Sequence, residues 1–188
     1  VTQSVIEGGA GAIQLRDKDM GKRELLDWAY RLRELTRKHA VTFIINDHID
    51  IALATGADGV HLGQDDFPIP QAREILGPTM IVGASTHSVD QALKAEEEGA
   101  SYINVGPIFP TGTKKGGHPP VGPELLHTVL EKVSIPITTM GGIGPSNIDL
   151  VLAQGARRIA VVSAVVGAEN IRDAAKELSS KIDTAKAT

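Results

Sequence analysis

The sequence predicts an α/β fold, a TIM (β/α)8 barrel, because short apolar strand-like segments alternate with helical segments along the whole chain. Seven strand segments occur in 188 residues, and no linker or low-complexity stretch separates them. A strand followed by a helix, repeated without a break, is typical of a parallel sheet covered by helices. Polar residues follow nearly every strand. This favours a barrel, where all strand ends face one mouth, over a doubly wound sheet with one switch point.

The predicted strands are short runs of β-branched and aliphatic residues that end at polar residues or glycine. In chain order they are 12–15, 42–45, 59–62, 80–84, 102–105, 136–140 and 158–162. The strand that should precede Val1 is absent from this sequence. We therefore expect a single domain over 1–188 that begins inside its first βα unit, as an N-terminally truncated barrel would.

The predicted helices show apolar residues at intervals of three and four, and glycine, proline or serine marks many of their ends. In the second helix, Leu25, Trp28, Ala29, Leu32 and Leu35 form such a stripe. In chain order the helices are 1–7, 22–39, 49–54, 69–76, 88–98, 123–133, 147–153 and 171–182. The polar residues 183–188 are expected to form a frayed tail.

The composition limits what the protein can do. Aromatic residues make up only 3%, so Val, Ile, Leu and Ala must build the core. A net charge of -4 argues against an extended basic surface for nucleic acid. The absence of cysteine excludes disulfides, thiolate metal sites and a cysteine nucleophile. No apolar run reaches membrane-spanning length and the start does not resemble a signal peptide, so we expect a cytoplasmic protein.

The loop after the fifth strand has the composition of an anion site. Residues 105–115 read VGPIFPTGTKK, and the loop contains two hydroxyls, two lysines and several backbone amides outside regular structure. Such groups suit a phosphate or a diphosphate. A solvated surface loop is the alternative.

Polar residues after the first strand could bind phosphoryl oxygens. Gln14, Arg16 and Lys18 fall on one side of an extended segment, and a guanidinium and an ammonium there would converge on an anion. The alternative is a surface salt bridge to Asp17 or Asp19.

Carboxylates follow the second and third strands, in Asn46-Asp47 and Asp65-Asp66. Neighbouring carboxylates repel unless a cation lies between them, and hard oxygen ligands favour Mg²⁺. We predict a magnesium site at Asp47 and Asp66. Capping of the helix that begins at Ile49 is the alternative for Asp47.

The fourth strand ends near Ser85 and His87, which have no obvious acid to orient the imidazole and no nucleophile-elbow motif. We therefore expect Ser85 to hydrogen-bond a substrate rather than to attack it. His48 and His61 are expected to be packing or hydrogen-bonding residues.

Glycines follow the sixth strand at Gly141-Gly142, and Val162-Ser163 follows the seventh. In barrels of this class such loops commonly bind one phosphate. Two anion sites and no evident nucleophile predict two small phosphorylated substrates. They also predict chemistry in which the substrate ionises and the protein positions it and neutralises charge.

With these residues assembled, the chain closely resembles the thiamine-phosphate synthase family. The matching stretches occur in order and read QLRDK, NDHID, GVHLGQDD, GASTH, VGPIFPTGTKK, PPVG, GGI and VVSA. The resemblance implies a TIM barrel, a magnesium-dependent transferase and a role in thiamine biosynthesis. It implies that a hydroxymethylpyrimidine diphosphate and a thiazole phosphate give thiamine phosphate and diphosphate through a pyrimidine-methyl cation.

The resemblance also assigns site residues by position. Arg16, Ser85 and Lys114 would be catalytic. The pyrimidine diphosphate would be bound by Gln14, Arg16, Lys18, Asn46, Ser85 and Lys114, and Mg²⁺ by Asp47 and Asp66. The thiazole phosphate would be bound by Thr111, Thr113, Gly142, Val162 and Ser163.

The sequence departs from the family pattern at two points. His48 stands where an arginine is expected, and the family's first strand would precede Val1. Two other functions stay open: a thiazole tautomerase-type isomerase, whose histidine near Pro107 is absent here, and a non-catalytic phosphate-binding barrel. No nucleic-acid or membrane partner is expected, and a homo-oligomer is compatible with the sequence.

Overall fold

The protein is an α/β barrel of the TIM type, and the computed structural model describes residues 1–113 and 117–187. The described residues contain one seven-stranded parallel sheet, with its strands in chain order. The strands are β1 (Ala12–Leu15), β2 (Thr42–Asn46), β3 (Gly59–Leu62), β4 (Ile81–Thr86), β5 (Tyr102–Val105), β6 (Ile137–Met140) and β7 (Ile159–Ala160). A doubly wound sheet would reverse this order at a switch point, so the barrel prediction is confirmed.

Helices follow the strands and cover the outside of the sheet. They are α1 (Thr2–Glu7), α2 (Lys22–Lys38), α3 (Ile49–Thr55), α4 (Ile69–Leu76), α5 (Val89–Glu97), α6 (Pro123–Leu130), α7 (Ile148–Ala153), α8 (Ser163–Val166) and α9 (Ile171–Ala187). The predicted bounds agree closely for α2 to α5. Ser88 caps α5 as expected, because its hydroxyl oxygen accepts the N–H of Gln91.

The sheet curls until the first and last helices meet. A Cβ added at Gly8, just after α1, would lie 2.5 Å from the Cβ of Ala175 in α9. Within the described residues β1 and β7 are the two edges of the sheet, with no strand between them. The described part of the chain thus supplies seven of the eight strands of a barrel.

Alternation along the strands divides the side chains into two sets. One set faces outward and packs against the helices to form the core. Its strand members are Phe43, Ile45, Val60, Leu62, Val82, Ala84, Ile103, Val105 and Ile137. The other set faces the barrel interior and includes Gln14, Asn46, His61, Ser85, Tyr102 and Asn104. This alternation places polar side chains inside the barrel.

An ion pair fixes α2 to the sheet beside β2. The Arg33 guanidinium donates to both carboxylate oxygens of Asp58, at 2.8 and 2.9 Å. Asp58 also accepts the backbone N–H of Phe43 at 2.7 Å. A bidentate pair that also holds a strand N–H sets the position of β2 relative to its helix.

Several details differ from the predictions. Strand β4 is Ile81–Thr86 rather than 80–84, and α6 ends at Leu130 rather than at Val133. Trp28 was expected in the apolar stripe of α2, but it is 43% exposed and lies beneath the guanidinium of Arg31. Strand β7 has only two residues, because the chain turns at Val162 and forms α8, a single turn too short to show a periodic pattern. Helix α9 continues to Ala187 rather than ending at Ile182.

No helix within residues 1–113 and 117–187 is long and apolar enough to cross a membrane.

The core position of Phe43 gives a test of the packing. Phe43 is 0% exposed and Phe67 is 42% exposed. We expect Phe43→Ala to lower the free energy of unfolding by about 4 kcal/mol, because it removes a buried ring and leaves a cavity. The matched change Phe67→Ala should cost less than about 1 kcal/mol. Urea denaturation of both variants measures the difference, and equal losses would contradict the assigned packing.

Candidate active site

The site lies at the carboxyl ends of the strands, where parallel pairing brings distant residues together. Leu15 is in register with Ile45, and Asn46 is in register with His61. The residues that follow β1, β2 and β3 therefore leave the sheet side by side. This is the face at which TIM barrels carry their active sites.

A lysine and two aspartates form a charge cluster at this face. The Nζ of Lys18 lies 2.6 Å from the Asp47 carboxylate and 3.9 Å from that of Asp66. The alternative pairing of Lys18 with Asp17 or Asp19 is not what the structure shows. Instead, Asp17 accepts the backbone N–H groups of Asp19 and Met20 and closes a turn. That turn directs Lys18 toward the two carboxylates.

The backbone holds Asp47 in a left-handed conformation, with φ at 62°. Its N–H donates to the carbonyl of His61 at 2.9 Å. The predicted alternative, that Asp47 caps the next helix, is wrong. The cap residue of α3 is His48, and no side chain caps that end. The Asp47 carboxylate is thus aimed at the site rather than at the helix.

The carboxyl of Asp47 is harder to ionise than an ordinary aspartate. Burial raises its pKa, and the hydrogen-bonded Asp66 carboxyl raises it further, while Lys18 acts in the opposite direction. Two carboxylates that share a partly buried place favour a cation between them. Lys18 supplies that cation in this structure.

Asp66 is fixed by a tight turn. Its carboxylate accepts the backbone N–H of Gly63 at 2.8 Å. A Cβ at Gly63 would lie 2.6 Å from the same carboxylate oxygen, so glycine allows this close approach. The turn therefore orients Asp66 before any ligand binds.

The donor set at Asp47 and Asp66 fits Mg²⁺. The cation is commonly held by one or two carboxylates, with water and substrate phosphate completing its shell. No cluster of three or more His, Cys, Asp or Glu residues suited to a metal occurs in the described ranges. A two-carboxylate site is one that depends on substrate oxygens.

Three further residues predicted to bind the diphosphate lie in β1 and β2 or just after them. Gln14 and Arg16 are exposed on β1 and just after it, and Asn46 is 9% exposed at the end of β2. Pairing of β1 with β2 places Gln14 opposite Ile44, so Arg16 continues toward the level of Asn46. The structure thus brings the polar ends of β1, β2 and β3 to one place.

Ser85 belongs to a hydrogen-bond chain across three strands that sequence reasoning missed. His61 Nε2 lies 2.9 Å from Ser85 Oγ, and His61 Nδ1 lies 2.8 Å from the Tyr102 hydroxyl. His61 thus acts as a hydrogen-bonding residue, as predicted, but its partners were not identified. One sequence pattern could have identified these partners. Alternation along β3, β4 and β5 places His61, Ser85 and Tyr102 on the interior face of neighbouring strands.

His87 does not form a pair with Ser85. Its Nδ1 hydrogen-bonds the carbonyl of Gly106, and its ring stacks on His118 with centroids 4.4 Å apart. The predicted absence of a Ser85–His87 catalytic pair therefore agrees with this geometry.

The loop after β5 is attached to the end of β6. Ile108 N–H donates to Met140 O at 2.9 Å, and Phe109 N–H donates to Gly141 O at 3.0 Å. A Cβ at Gly142 would lie 2.5 Å from the carbonyl oxygen of Pro110, and φ at Gly142 is 65°. Only glycine suits both constraints.

Thr111 and Thr113 follow Pro110, the residue whose carbonyl lies against Gly142. The two hydroxyls are 3.1 Å apart, and both residues are exposed. Lys114 lies outside the described residues, so its predicted contact with a diphosphate stays a prediction.

The β6 and β7 loops lie side by side. Asn147 donates to Gly142 O and accepts from Gly144 N, which fixes the glycine turn. A Cβ at Gly144 would lie 3.4 Å from the Cβ of Ala164. Val162 and Ser163 are exposed at the start of α8, beside this turn. The five residues predicted to bind the thiazole phosphate therefore lie in the loops after β5, β6 and β7, which are neighbouring strands.

The chain is similar to known proteins over nearly its full length. The family model described as thiamine monophosphate synthase matches residues 1–165. A thiamine-phosphate synthase of Moorella thermoacetica is 46% identical over 99% of this chain and 89% of its own length. That of Chlorobium luteolum is 49% identical over 97% of this chain and 86% of its own length.

Solved structures agree with these relatives. The thiamine phosphate pyrophosphorylase of Pyrococcus furiosus superposes with a TM-score of 0.90 at 43% identity, covering 97% of this chain and 88% of that one. A 3-hexulose-6-phosphate synthase from Salmonella typhimurium gives 0.70 at 18% identity, which shows a common fold alone. On the family match and these relatives, the chain belongs to the thiamine monophosphate synthase family.

Proposed function

We propose that this enzyme is a transferase that joins 4-amino-2-methyl-5-hydroxymethylpyrimidine diphosphate to 4-methyl-5-(2-phosphoethyl)thiazole. The products are thiamine phosphate and diphosphate. The observation that carries the proposal is the Lys18–Asp47–Asp66 cluster, which faces the same mouth as the Thr111 and Gly142 loop. One side of the mouth suits a metal-bound diphosphate and the other suits a single phosphate.

The diphosphate of the pyrimidine substrate binds at the ends of β1 to β3. Arg16 and Lys18 supply positive charge, and Gln14 and Asn46 supply amide groups. Asp47 and Asp66 would hold Mg²⁺, which would supply positive charge to the phosphate oxygens. Lys18 lies 2.6 Å from the Asp47 carboxylate, so Lys18 and Mg²⁺ would compete for this carboxylate.

The thiazole phosphate binds at the opposite loops. The Thr111 and Thr113 hydroxyls and the backbone of Gly142, Val162 and Ser163 are the proposed contacts. The Asn147 side chain hydrogen-bonds the backbone of Gly142 and Gly144 and fixes the glycine turn, so the turn needs no reorganisation when the phosphate binds.

The proposed reaction needs no protein nucleophile and no proton abstraction from carbon. The bond between the pyrimidine methylene carbon and the diphosphate oxygen breaks, and the oxygen keeps the electron pair. The thiazole nitrogen then donates its lone pair to the resulting carbocation and becomes a thiazolium. Binding both substrates at one mouth places the nitrogen near the carbon before the cation forms.

The cytoplasmic location and a homo-oligomer stay predictions.

The direct test is release of diphosphate measured with each substrate alone and with both, in the presence and absence of Mg²⁺. We expect release coupled to thiamine phosphate formation only when both substrates and Mg²⁺ are present. Absence of release in this assay would refute the synthase proposal, and conversion of a thiazole alone would favour the isomerase instead.

Asp47→Asn tests the metal site without relying on turnover. Because the pKa of Asp47 is raised, its ionised carboxylate lowers the free energy of unfolding at pH values above that pKa. This loss of stability disappears as the pH falls toward the ordinary pKa of 3.8. Asparagine is also well tolerated at positive φ. At pH 7 without metal we expect unfolding free energy unchanged or higher by up to about 1 kcal/mol. This gain should shrink on acidification.

The same variant should lose stabilisation by Mg²⁺ with inorganic diphosphate, measured by thermal denaturation. The control is Asp50→Asn, which makes the same change at a carboxylate outside the proposed metal site. The hydrogen bond from Lys22 lowers the pKa of Asp50, opposite to the shift at Asp47. Its small contribution is present above pH 3.8 and is lost as the pH falls through the lowered pKa. Asp50→Asn should keep the metal response. An undiminished response in Asp47→Asn would remove Asp47 from the metal site.

Lys114→Ala tests the proposed neutralisation of the leaving diphosphate. We expect kcat to fall at least about tenfold, because charge develops on that group as the bond breaks. Thermal stability should stay near wild type, since a single loop lysine contributes little to folding. Lys115→Ala matches the change in net charge and should slow turnover less. Equal kinetics in the two variants would refute a specific role for Lys114.

A further inference from the structure

A tyrosine inside the barrel is linked to the proposed substrate site through a histidine. We infer that Tyr102 is a positioning residue that acts through His61 to make Ser85 a hydrogen-bond donor toward the substrate. This inference rests on the proposed function, because a hydrogen bond from Ser85 to the pyrimidine substrate is expected only if the enzyme binds that substrate. It assigns a direction to every hydrogen bond in the chain of three residues.

The geometry comes from the register of three neighbouring strands. His61 in β3 is in register with Gly83 in β4, and Gly83 is in register with Tyr102 in β5. All three positions face the interior, together with Ser85 two residues further along β4. Tyr102 OH lies 2.8 Å from Nδ1 of His61, and Ser85 Oγ lies 2.9 Å from Nε2.

Glycine at position 83 makes room for the tyrosine. A Cβ there would lie 2.1 Å from Cζ of Tyr102 and 2.4 Å from its hydroxyl oxygen. The ring therefore lies across β4 and reaches His61 on β3. The contact between Tyr102 and His61 depends on glycine at position 83, because any larger side chain there would displace the tyrosine hydroxyl.

The hydroxyl of Tyr102 sets the polarity of the first hydrogen bond. Burial raises the pKa of Tyr102, so the phenol keeps its proton. Within the described residues the Tyr102 hydroxyl has a single hydrogen-bond partner, His61 Nδ1, and a buried O–H with one partner donates to it. A phenol that donates to Nδ1 requires a lone pair on that nitrogen, which places the ring proton on Nε2.

The polarity at Ser85 follows. Nε2–H donates to Ser85 Oγ, so the serine hydroxyl accepts from His61 and its own hydrogen is directed elsewhere. In a serine nucleophile the histidine nitrogen accepts that hydrogen instead. Ser85 is thereby set up to donate to the pyrimidine substrate. The side-chain amide of Gln64 donates to the backbone carbonyl of Ser85 at 2.6 Å and so fixes the backbone of β4 at this residue.

The first test reads the histidine tautomer and needs no substrate. In ¹⁵N-labelled protein, two-bond nitrogen–proton correlations distinguish Nε2–H from Nδ1–H, and the His61→Gln variant identifies the signal. We expect Nε2–H in the wild type and a mixture of tautomers in Tyr102→Phe. An Nδ1–H tautomer in the wild type would overturn the inference.

The second test separates positioning from general packing. Tyr102→Phe removes one oxygen, and we expect kcat to fall about three- to tenfold with little change in KM. In a Ser85→Ala background the same change should have no further effect, because its route to the substrate is already gone. An equal loss of kcat in both backgrounds would overturn the inference.

Tyr30→Phe is the matched control. Tyr30 is the other tyrosine of the chain, and its hydroxyl donates to the carbonyl of Ala54 on the outer surface. It should leave kcat and the His61 spectrum unchanged. If the wild type shows Nε2–H but makes no thiamine phosphate, the polarity is supported and the proposed function fails.

Discussion

In-register pairing of parallel strands is the constraint on which both the core and the candidate site depend. Each strand keeps alternate side chains on opposite faces, so one register decides what is packed and what is presented. Phe43 and Ile45 are buried against helices, while Asn46 at the end of the same strand enters the site. A shift by one residue would exchange the two sets. Glycines at positions of close approach, such as Gly59 against Ile81 and Gly83 against Tyr102, protect this register.

The candidate site places unfavourable electrostatics where a ligand can relieve them. Asp47 combines partial burial, a left-handed backbone and a second carboxylate nearby. Each of these costs stability, and Lys18 offsets only part of the cost. Backbone strain and shifted pKa values of this kind concentrate at functional sites. The side proposed for the thiazole phosphate is built differently. There, Asn147 and the attached β5 loop hydrogen-bond backbone groups of the β6 end and its glycine turn without any ligand.

The errors in the sequence interpretation share a physical cause. Apolar residues at intervals of three and four placed Trp28 on the core side of α2. Periodicity does not show, however, that a ring at the edge of the apolar face will lie under Arg31 instead. The sequence interpretation did not expect Ser85 and His87 to act as a pair, but it identified no partner for Ser85. The histidine that contacts Ser85 is His61, which comes from another strand. Contacts across strands depend on register, and register is a property of the sheet rather than of a local pattern.

The sequence alone determined the barrel class, the seven strands, the polar strand ends and the family to which the chain belongs. These depend on local composition and on order along the chain, both of which are visible in residues close together. The tertiary structure alone decided that Lys18 pairs with Asp47, that His48 and not Asp47 is the N-cap residue of α3, and that Tyr102, His61 and Ser85 form one hydrogen-bond chain. Each of these depends on distances between residues far apart in sequence. Such distances exist only once the strands have paired and the sheet has curled.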